Sequence, residues 1–237
     1  MCYQYSIYSK PELFEKRFSA TFSQSFSPQY HVTAFSQQKL PVITNNDPFH
    51  IQLFHWGLIP FWTKDIKQAR TIQQKTANAR AETIYEKPAF RQPATKNHCL
   101  ILADGFYEWH EYHGKKYPFY IYLKSREPFA FAGIWDEWKD KQTQQTVFSF
   151  SVITTPANPL LEKIHNTKKR MPVILPPREE QVWISNSLSK QQAQQLLVPI
   201  DEHLLQSHTI SRLLTSKTKK NNAEIIKPYS YDNLTIL

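Results

Sequence analysis

Glycine is scarce in this chain, and its scarcity limits the sites that the sequence can build. Only 4 of the 237 residues are glycine, whereas about 7% of the residues of an average protein are glycine. The loops that hold a nucleotide phosphate in P-loop proteins, kinases and dinucleotide-binding folds need several closely spaced glycines. The sequence therefore excludes these three classes of protein.

The charge balance indicates a polyanionic partner. The chain has 29 Lys and Arg against 20 Asp and Glu, which gives a formal charge of +9 at pH 7. Such an excess of positive charge is typical of proteins that bind nucleic acid. With 41% hydrophobic and 21% charged residues, the composition is otherwise that of an ordinary globular protein.

The sequence predicts one domain over residues 1–237, because it has no repeat of fixed period and no long linker. The tail from about residue 215 loses its apolar periodicity and contains Lys217, Lys219 and Lys220. We expect the end of this tail to be loosely held.

The cysteine content and the N-terminus predict a cytoplasmic protein. Two cysteines are too few for a disulfide framework or a cysteine-rich zinc cluster. The first residues do not form a secretory signal, and no apolar run approaches the roughly 20 residues of a membrane span. His110 and His113 would point to opposite faces of a strand, so we expect no metal and no cofactor.

Short apolar and aromatic runs bounded by turn residues predict a sheet-rich core. The predicted strands cover residues 51–59, 99–103, 107–110, 117–122, 129–135, 147–154 and 172–175. The polar connection at residues 113–116 contains a glycine and predicts a hairpin. Helices are predicted at residues 11–18, 81–86, 159–164 and 189–197, the first with Ser9 as its N-cap.

Cys2 would be chemically unusual if Met1 were removed, because one residue would then carry an α-amine and a thiol. The amine, with a pKa of about 8, can attack an aldehyde, and the thiol can then close a five-membered thiazolidine ring. The alternative is that Cys2 has no function, since a cysteine after the initiator methionine is common.

Glu108 and His165 are candidates for proton transfer. Glu108 lies among aromatic residues at a predicted strand start, where loss of solvent would raise its pKa; the alternative is a surface strand residue. His165 follows an apolar helical segment, so the alternative for it is a histidine that closes a helix C-terminus beside the dipole. The local sequence leaves both choices open.

Aromatic and basic residues supply the parts of a site for single-stranded nucleic acid, namely stacking faces beside cations that pair with phosphates. They are Phe54, Trp56, Phe61, Trp62, Arg80, Lys168, Lys169 and Arg170. Aromatic residues of this kind also form cores. Because Pro60 ends the strand after Trp56, we expect Trp62 on a loop where a base could stack.

Seven ordered motifs resemble the SRAP family, the SOS response-associated peptidases or abasic site processing proteins. The motifs are residues 1–2 (MC), 56–62 (WGLIPFW), 78–83 (NARAET), 99–109 (CLILADGFYEW), 131–135 (FAGIW), 151–155 (SVITT), and 164–166 (IHN) with 170–175 (RMPVIL). They run in the same order along most of the chain.

The resemblance implies one α+β domain with curved, barrel-like mixed β-sheets flanked by short helices. It also implies a basic groove that brings single-stranded DNA to Cys2, where the ring-opened sugar of an abasic site is covalently captured. Asn78, Glu108 and His165 would surround the reacting atoms. The peptidase in the family name implies self-removal of Met1.

On this resemblance, we expect Glu108 to hold and deprotonate the α-amine, His165 to exchange a proton with the sugar oxygen, and Asn78 to orient the intermediate. The imine formed on the way would permit strand cleavage by β-elimination, an AP-lyase-type activity. The residues expected to contact DNA are Pro41, Trp56, Trp62, Arg80, Lys168, Lys169 and Arg170. The expected partner is single-stranded DNA with abasic sites, and we expect neither membrane binding nor an obligate protein partner. The protein would associate with the nucleoid when it acts on DNA.

Two departures from the family pattern lie near the expected site. Many relatives begin Met-Cys-Gly-Arg, whereas Tyr3 and Gln4 follow Cys2 here, so a phosphate-binding arginine is missing. The insertion at residues 167–169 adds positive charge beside His165 and could substitute for that arginine.

These departures motivate a second hypothesis, a module that binds single-stranded DNA without crosslinking it. A third hypothesis, a protease that acts on other proteins, is disfavoured. The chain has neither a serine nucleophile elbow nor a zinc-protease motif, and Cys2 lies at a terminus.

Overall fold

The computed structural model of the protein describes residues 2–36, 38–216, 221–232 and 234. The strands in these ranges are β1 (Gln4–Ile7), β2 (Thr21–Phe22), β3 (Gln29–Thr33), β4 (Lys39–Thr44), β5 (Asp47–Trp56), β6 (Asn78–Arg80), β7 (His98–Ala103), β8 (Gly105–Tyr112), β9 (Lys115–Leu123), β10 (Phe129–Lys139), β11 (Thr146–Pro156), β12 (Arg170–Pro172), β13 (Ile174–Leu175) and β14 (Leu205–Thr209). The helices are α1 (Pro11–Phe18), α2 (Ile66–Gln73), α3 (Pro93–Lys96), α4 (Pro159–Ile164), α5 (Pro177–Trp183) and α6 (Lys190–Leu196), and 3-10 segments lie at Ala81–Thr83, Glu202–Leu204, Arg212–Thr215 and Ala223–Ile226.

Five of these strands close into a barrel in the order β11, β10, β7, β4 and β5, because β5 pairs back onto β11. The closing pair is parallel, with Trp56 beside Phe150, and the other neighbours around the ring are antiparallel. Closure removes the free edges that an open sheet would expose. The predicted α+β fold with barrel-like mixed sheets is confirmed.

A second sheet brings the start of the chain to the strand that carries Glu108. Its strands lie in the order β14, β9, β8, β1 and β3. Strands β8 and β9 form the predicted hairpin, with Tyr112 paired with Lys115 at its end. Strand β1 lies antiparallel to β8, with Tyr5 opposite Phe106.

Aromatic rings fill the core shared by the two sheets. The ring centroid of Tyr5 lies 5.1 Å from that of Trp56 and 5.8 Å from that of Phe131, and all three side chains are buried. These tilted and edge-on contacts are favourable arrangements of aromatic rings. Truncation of such a ring typically lowers the unfolding free energy by about 3 to 5 kcal/mol. Core packing therefore accounts for the aromatic residues at these three positions.

Gly57 turns the chain away from the barrel at the end of β5. Its φ angle is +99°, and a Cβ atom there would lie 2.5 Å from the carbonyl oxygen of Gln73. Only glycine tolerates both the left-handed backbone and this close approach. The turn sends the following residues to the surface, where Phe61 and Trp62 are half exposed.

Local signals predicted three helices well but one cap and one helix wrongly. The helices at residues 11–18 and 159–164 are confirmed at both ends, and the helix at 189–197 is α6, where Ser189 and Gln192 form a capping box. The predicted N-cap at Ser9 is wrong, because Ser9 donates its N–H and its hydroxyl to Asp104. The segment predicted as a helix at 81–86 is a 3-10 turn over Ala81–Thr83.

Part of the tail beyond residue 215 packs against the second sheet. Asn221 accepts from the N–H of Tyr30 and donates to the carbonyl of Pro28, and Ile225 is buried. Lys217, Lys219 and Lys220 lie outside the described residues, as do residues 235–237, so the loosely held end stays a prediction. Among the described helices, none has the length and apolar character needed to cross a membrane.

Candidate active site

Cys2 approaches Glu108 because β1 pairs with β8. The antiparallel register puts Tyr5 opposite Phe106, and its continuation brings Tyr3 opposite Glu108, with Cys2 one residue further on. The electrostatic effects agree with this placement. Burial is the larger cause that raises the pKa of both Cys2 and Tyr3, and the Glu108 carboxylate raises both further.

Glu108 is a buried acid that is protonated at neutral pH. Its side chain is only 3% exposed, and this burial raises its pKa from 4.5 to about 8, because an ionised carboxyl would lose its hydration. Its Oε1 atom is buried without a hydrogen-bond partner among the described residues. Buried polar atoms are rarely left unpaired in native structures, so this oxygen stands out as one whose hydrogen-bonding capacity the described residues do not use.

The Cys2 side chain is a neutral thiol in this environment. It is fully buried, and its Sγ lies 3.6 Å from the carbonyl oxygen of Gln4. Burial, followed by the nearby Glu108 carboxylate, raises the pKa of the thiol. A thiol rather than a thiolate is therefore present near neutral pH, and it is a weak nucleophile in that state.

His165 contacts Glu108 from the other side of the site. It is the C-cap residue of α4, and its Nδ1 lies 2.9 Å from the carbonyl oxygen of Arg170 and 3.5 Å from Oε2 of Glu108. Since a carbonyl oxygen only accepts, Nδ1 carries the proton and Nε2 is the acceptor nitrogen. Burial lowers the pKa of His165 to about 4, so the imidazole is neutral.

Asn78, on β6, also carries an unsatisfied amide. It begins β6, which pairs in parallel with β11 so that Asn78 lies beside Val152. The side chain is buried, and neither its Oδ1 nor its Nδ2 has a hydrogen-bond partner among the described residues. An amide in this state can both donate to and accept from a bound molecule.

A surface groove leads to Asn78. Its volume is 480 Å³, and the residues that line it are Trp62, Ile72, Lys75, Thr76, Asn78, Arg80, Thr83, Lys87, Pro88, Ala89 and Phe90. The ring of Trp62 is 42% exposed in a turn, as expected for a residue on a loop. Together with Lys75, Arg80 and Lys87, it gives the groove one stacking face and three cations.

Two residues expected to contact DNA lie in the core instead. Trp56 is 1% exposed, and its indole N–H donates to the carbonyl of Ala77 at 2.9 Å. Pro41 is buried in β4, opposite Leu53 of β5. An enclosed side chain cannot contact DNA, so the structure contradicts a contact role for Trp56 and Pro41, whereas such a role for the exposed Trp62 stays a prediction.

Arg170 is already bound to protein groups. Its guanidinium forms a bidentate pair with Glu82, with N–O distances of 2.7 and 2.9 Å, and donates to the carbonyl of Thr154 at 2.7 Å. A phosphate would have to displace these contacts. The expected phosphate contact is therefore replaced by a structural one, in which Arg170 holds β12 in place and its own carbonyl orients His165.

Lys168 and Lys169 are exposed in the turn between His165 and β12. The N–H of Lys169 donates to the carbonyl of His165 at 2.8 Å, and Lys169 has a φ angle of +48°. The charge of Lys168 lies close enough to add to the effect of burial in lowering the pKa of His165. Both lysines thus lie beside the candidate site with ammonium groups available to solvent.

Sequence reasoning missed a second cavity beside the C-terminal end of α2. It has a volume of 430 Å³ and is lined by Ala34, Phe35, Arg70, Gln73, Gln74 and Lys75. Phe35 is 65% exposed, and its ring stacks on Tyr3 at a centroid distance of 5.4 Å. Near Phe35 the sequence shows only an aromatic residue in a polar segment. It does not indicate that this ring stacks on Tyr3 or that Arg70 lines the same cavity.

No group of three or more His, Cys, Asp and Glu side chains among the described residues is arranged to hold a metal ion. His110, which the sequence suggested as a possible ligand, has its Nδ1 at 2.7 Å from the carbonyl of Lys163.

Comparison with known proteins shows what this arrangement resembles. The sequence model of the family described as SOS response associated peptidase (SRAP) matches residues 1–217. The abasic site processing protein YoaM of Bacillus subtilis is 40% identical over 203 residues, 85% of each chain. The abasic site processing protein HMCES of Rattus norvegicus is 31% identical over 202 residues, which is 73% of this chain and 55% of that protein.

A crystal structure of a protein from Bacteroides thetaiotaomicron has the same fold. It is 37% identical, with a TM-score of 0.91, and the match covers 97% of this chain and all of that one. The family match extends over most of the sequence and includes the segments that carry Cys2, Asn78, Glu108 and His165. This chain belongs to the SRAP family.

Proposed function

We propose that the protein processes abasic sites in single-stranded DNA and captures them covalently through Cys2 after removal of Met1. The observation that carries the proposal is the presence of unsatisfied buried polar atoms on Glu108, which lies close to Cys2, and on Asn78, which lines the groove. Glu108 Oε1 and both amide atoms of Asn78 are buried without partners among the described residues. Such groups are costly unless a bound molecule pairs with them.

The protonation states support a reaction in which the amine attacks first. Because the Cys2 thiol is neutral, the free α-amine is the better nucleophile and adds to the aldehyde carbon to give a carbinolamine. Loss of the hydroxyl as water needs a proton, and Glu108, with a pKa of about 8, carries one at neutral pH. Glu108 therefore acts here as an acid and not, as the resemblance suggested, as the base that deprotonates the α-amine; the nitrogen then returns its proton to the carboxylate. The products of this step are an imine and water.

Ring closure completes the capture. The thiol sulfur bonds to the imine carbon, its proton passes to the imine nitrogen, and a thiazolidine results. Neutral His165, whose Nε2 is an acceptor, exchanges a proton with the sugar oxygen as the ring opens to the aldehyde. Asn78 contributes a donor and an acceptor that orient the intermediate.

The imine would also permit an AP-lyase-type side reaction. If a base removes the proton from the carbon next to the imine, the 3′-phosphate leaves and the strand breaks by β-elimination. Closure of the thiazolidine removes the imine and so suppresses the break. The ratio of capture to cleavage is then set by how quickly the Cys2 thiol adds.

The groove beside Asn78 supports single-stranded DNA as the substrate form. Trp62 offers a face on which a base next to the lesion can stack, and Lys75, Arg80 and Lys87 line the same groove. These contacts involve base faces and phosphates rather than base edges, so binding would tolerate different sequences and weaken with salt.

The test is incubation with single-stranded DNA that contains one abasic site. The wild-type protein should give an adduct that survives denaturation, and mass spectrometry of the protein should show that Met1 is absent. Cys2→Ala should give none. Cys99→Ala is the matched control, since Cys99 is likewise buried but lies in barrel strand β7, and it should crosslink normally.

Cys2→Ser separates the two chemical steps. This variant keeps the α-amine and loses the thiol, so we expect no stable adduct by itself but a trapped one after cyanoborohydride reduction, together with more strand cleavage. Reversible binding by the wild type without any adduct would overturn capture and leave the module that binds DNA without crosslinking.

A further inference from the structure

The side chain of Asn166 joins the turn after α4 to strand β8. Its Oδ1 accepts from the N–H of Glu111 at 3.0 Å, and its Nδ2 donates to the carbonyl of Glu111 at 2.8 Å. These are the two bonds that a neighbouring strand would make, so one amide takes the place of a strand partner. Asn166 follows His165 directly, and Glu111 lies on the same strand as Glu108.

Helix α4 is short, so the position of His165 depends on contacts with neighbouring elements. The helix has only 6 residues, too few to be stable without tertiary contacts. His165 is the C-cap residue that follows it and is not itself helical. The turn that follows contains Lys169 in the left-handed region, at φ +48°, a conformation that is unfavourable for a residue with a side chain. A second bond, 2.7 Å from His110 Nδ1 to the carbonyl of Lys163, connects α4 with β8.

We propose that Asn166 is a positioning residue that sets the separation of His165 from Glu108 by binding the backbone of β8. The inference rests on the proposed function, because it gives the two side chains a shared role in proton transfer. Glu108 belongs to a sheet and His165 to a helix end, so their 3.5 Å contact depends on a link between the two elements. Asn166 supplies that link without touching the substrate.

The test compares Asn166→Ala with Asn221→Ala. Asn221 is the matched control because its amide also bonds to backbone, accepting from Tyr30 at 2.7 Å and donating to Pro28 at 2.9 Å, beside edge strand β3 of the same sheet. We expect similar small decreases in melting temperature. Only Asn166→Ala should slow adduct formation, by about 10-fold to 100-fold, as expected for a displaced proton-transfer group.

A second readout does not depend on DNA. In histidine-labelled protein, with the His165 signal assigned from a His165→Ala spectrum, the wild type should show no titration of His165 above pH 5. In Asn166→Ala the turn opens to solvent, and the pKa should move towards the ordinary value of about 6.5. Asn221→Ala should leave the wild-type titration unchanged.

The two measurements separate the failure of this inference from the failure of the proposed function. If the wild type forms no adduct, the proposed function fails and the titration still decides the role of Asn166. If Asn166→Ala keeps the wild-type rate and titration, or if both variants slow the reaction equally, the positioning role is wrong. Should Asn166→Ala not fold, Asn166→Asp keeps the acceptor for the Glu111 N–H and should show a smaller loss of rate.

Discussion

Oε2 of Glu108 lies 3.5 Å from Nδ1 of His165, and the two groups face each other uncharged. Burial raises the pKa of Glu108 to about 8 and lowers that of His165 to about 4. Between about pH 4 and pH 8, the carboxyl of Glu108 is protonated and the imidazole of His165 carries a single proton. The contact is therefore between a neutral acid and a neutral base, and it is not an ion pair.

The raised pKa of Glu108 predicts a stability that depends on pH. The folded state holds the proton up to about pH 8, whereas the unfolded chain releases it near 4.5, so this group's contribution is complete below 4.5 and decreases as the pH rises to 8. Glu108→Gln removes the dependence. The unfolding free energy of the variant minus that of the wild type should therefore increase by on the order of 4 kcal/mol between pH 5 and pH 8.

Urea denaturation of both proteins at pH 5 and pH 8 measures this difference. His165 has the opposite sign, because its lowered pKa gives stability that is present above about 6.5 and lost towards 4. Its effect cancels when the variant is compared with wild type at each pH. An equal difference in unfolding free energy at both pH values would show that Glu108 is not desolvated.

Truncation of Arg80 should affect DNA binding, whereas truncation of Arg170 should affect stability. Arg80 is exposed in the groove, so Arg80→Ala should weaken DNA binding. It should also reduce the salt slope, which is the slope of log binding constant against log salt concentration, by roughly 0.7, the value for one phosphate of a single strand. Arg170→Ala should lower the melting temperature, because it leaves Glu82 and the Thr154 carbonyl without their partner. Binding titrations at several salt concentrations and thermal denaturation test both. A reduced slope with unchanged stability for Arg170→Ala would restore its phosphate role.

These two arginines illustrate what the sequence could predict. Strands β7 to β11, the hairpin and two helices follow from local alternation, turn residues and proline at the helix starts, and each was predicted from neighbours within about ten residues. The partner of Arg170 lies 88 residues away. Nothing near Arg170 in the sequence distinguishes a bound guanidinium from a free one.

The tryptophans show the same limit. Trp56 and Trp62 belong to one motif, and whether each is enclosed depends on the parallel closure of β5 onto β11, a pairing across almost a hundred residues. Cys2, Asn78, Glu108 and His165 were predicted from the resemblance, whereas the protonation of Cys2, Glu108 and His165 depends on burial that only the fold provides. Strand β1, which brings Cys2 to Glu108, was not predicted because its four residues carry little signal of their own.

Trp62 should contribute to affinity and Trp56 to stability. Trp62→Ala should cost about 1 to 3 kcal/mol of single-strand binding, as for other stacked bases, with little change in melting temperature. Phe61→Ala is the matched control, since Phe61 is 51% exposed in the same turn but does not line the groove. Trp56→Ala should lose about 3 to 5 kcal/mol of unfolding free energy. Equal binding losses for Trp62→Ala and Phe61→Ala would contradict stacking in the groove.

Lys168 and Lys169 should supply the positive charge that Tyr3 and Gln4 do not. Both are exposed in the turn beside His165, so replacing both with alanine should weaken DNA binding and reduce the salt slope by about 1.4, or roughly 0.7 for each phosphate of a single strand that is no longer neutralised. The control replaces Lys10 and Lys16, two exposed lysines at the start of the chain, and changes the net charge equally. If both double variants flatten the slope by the same amount, the effect is one of overall charge and the two turn lysines make no specific contact with the strand.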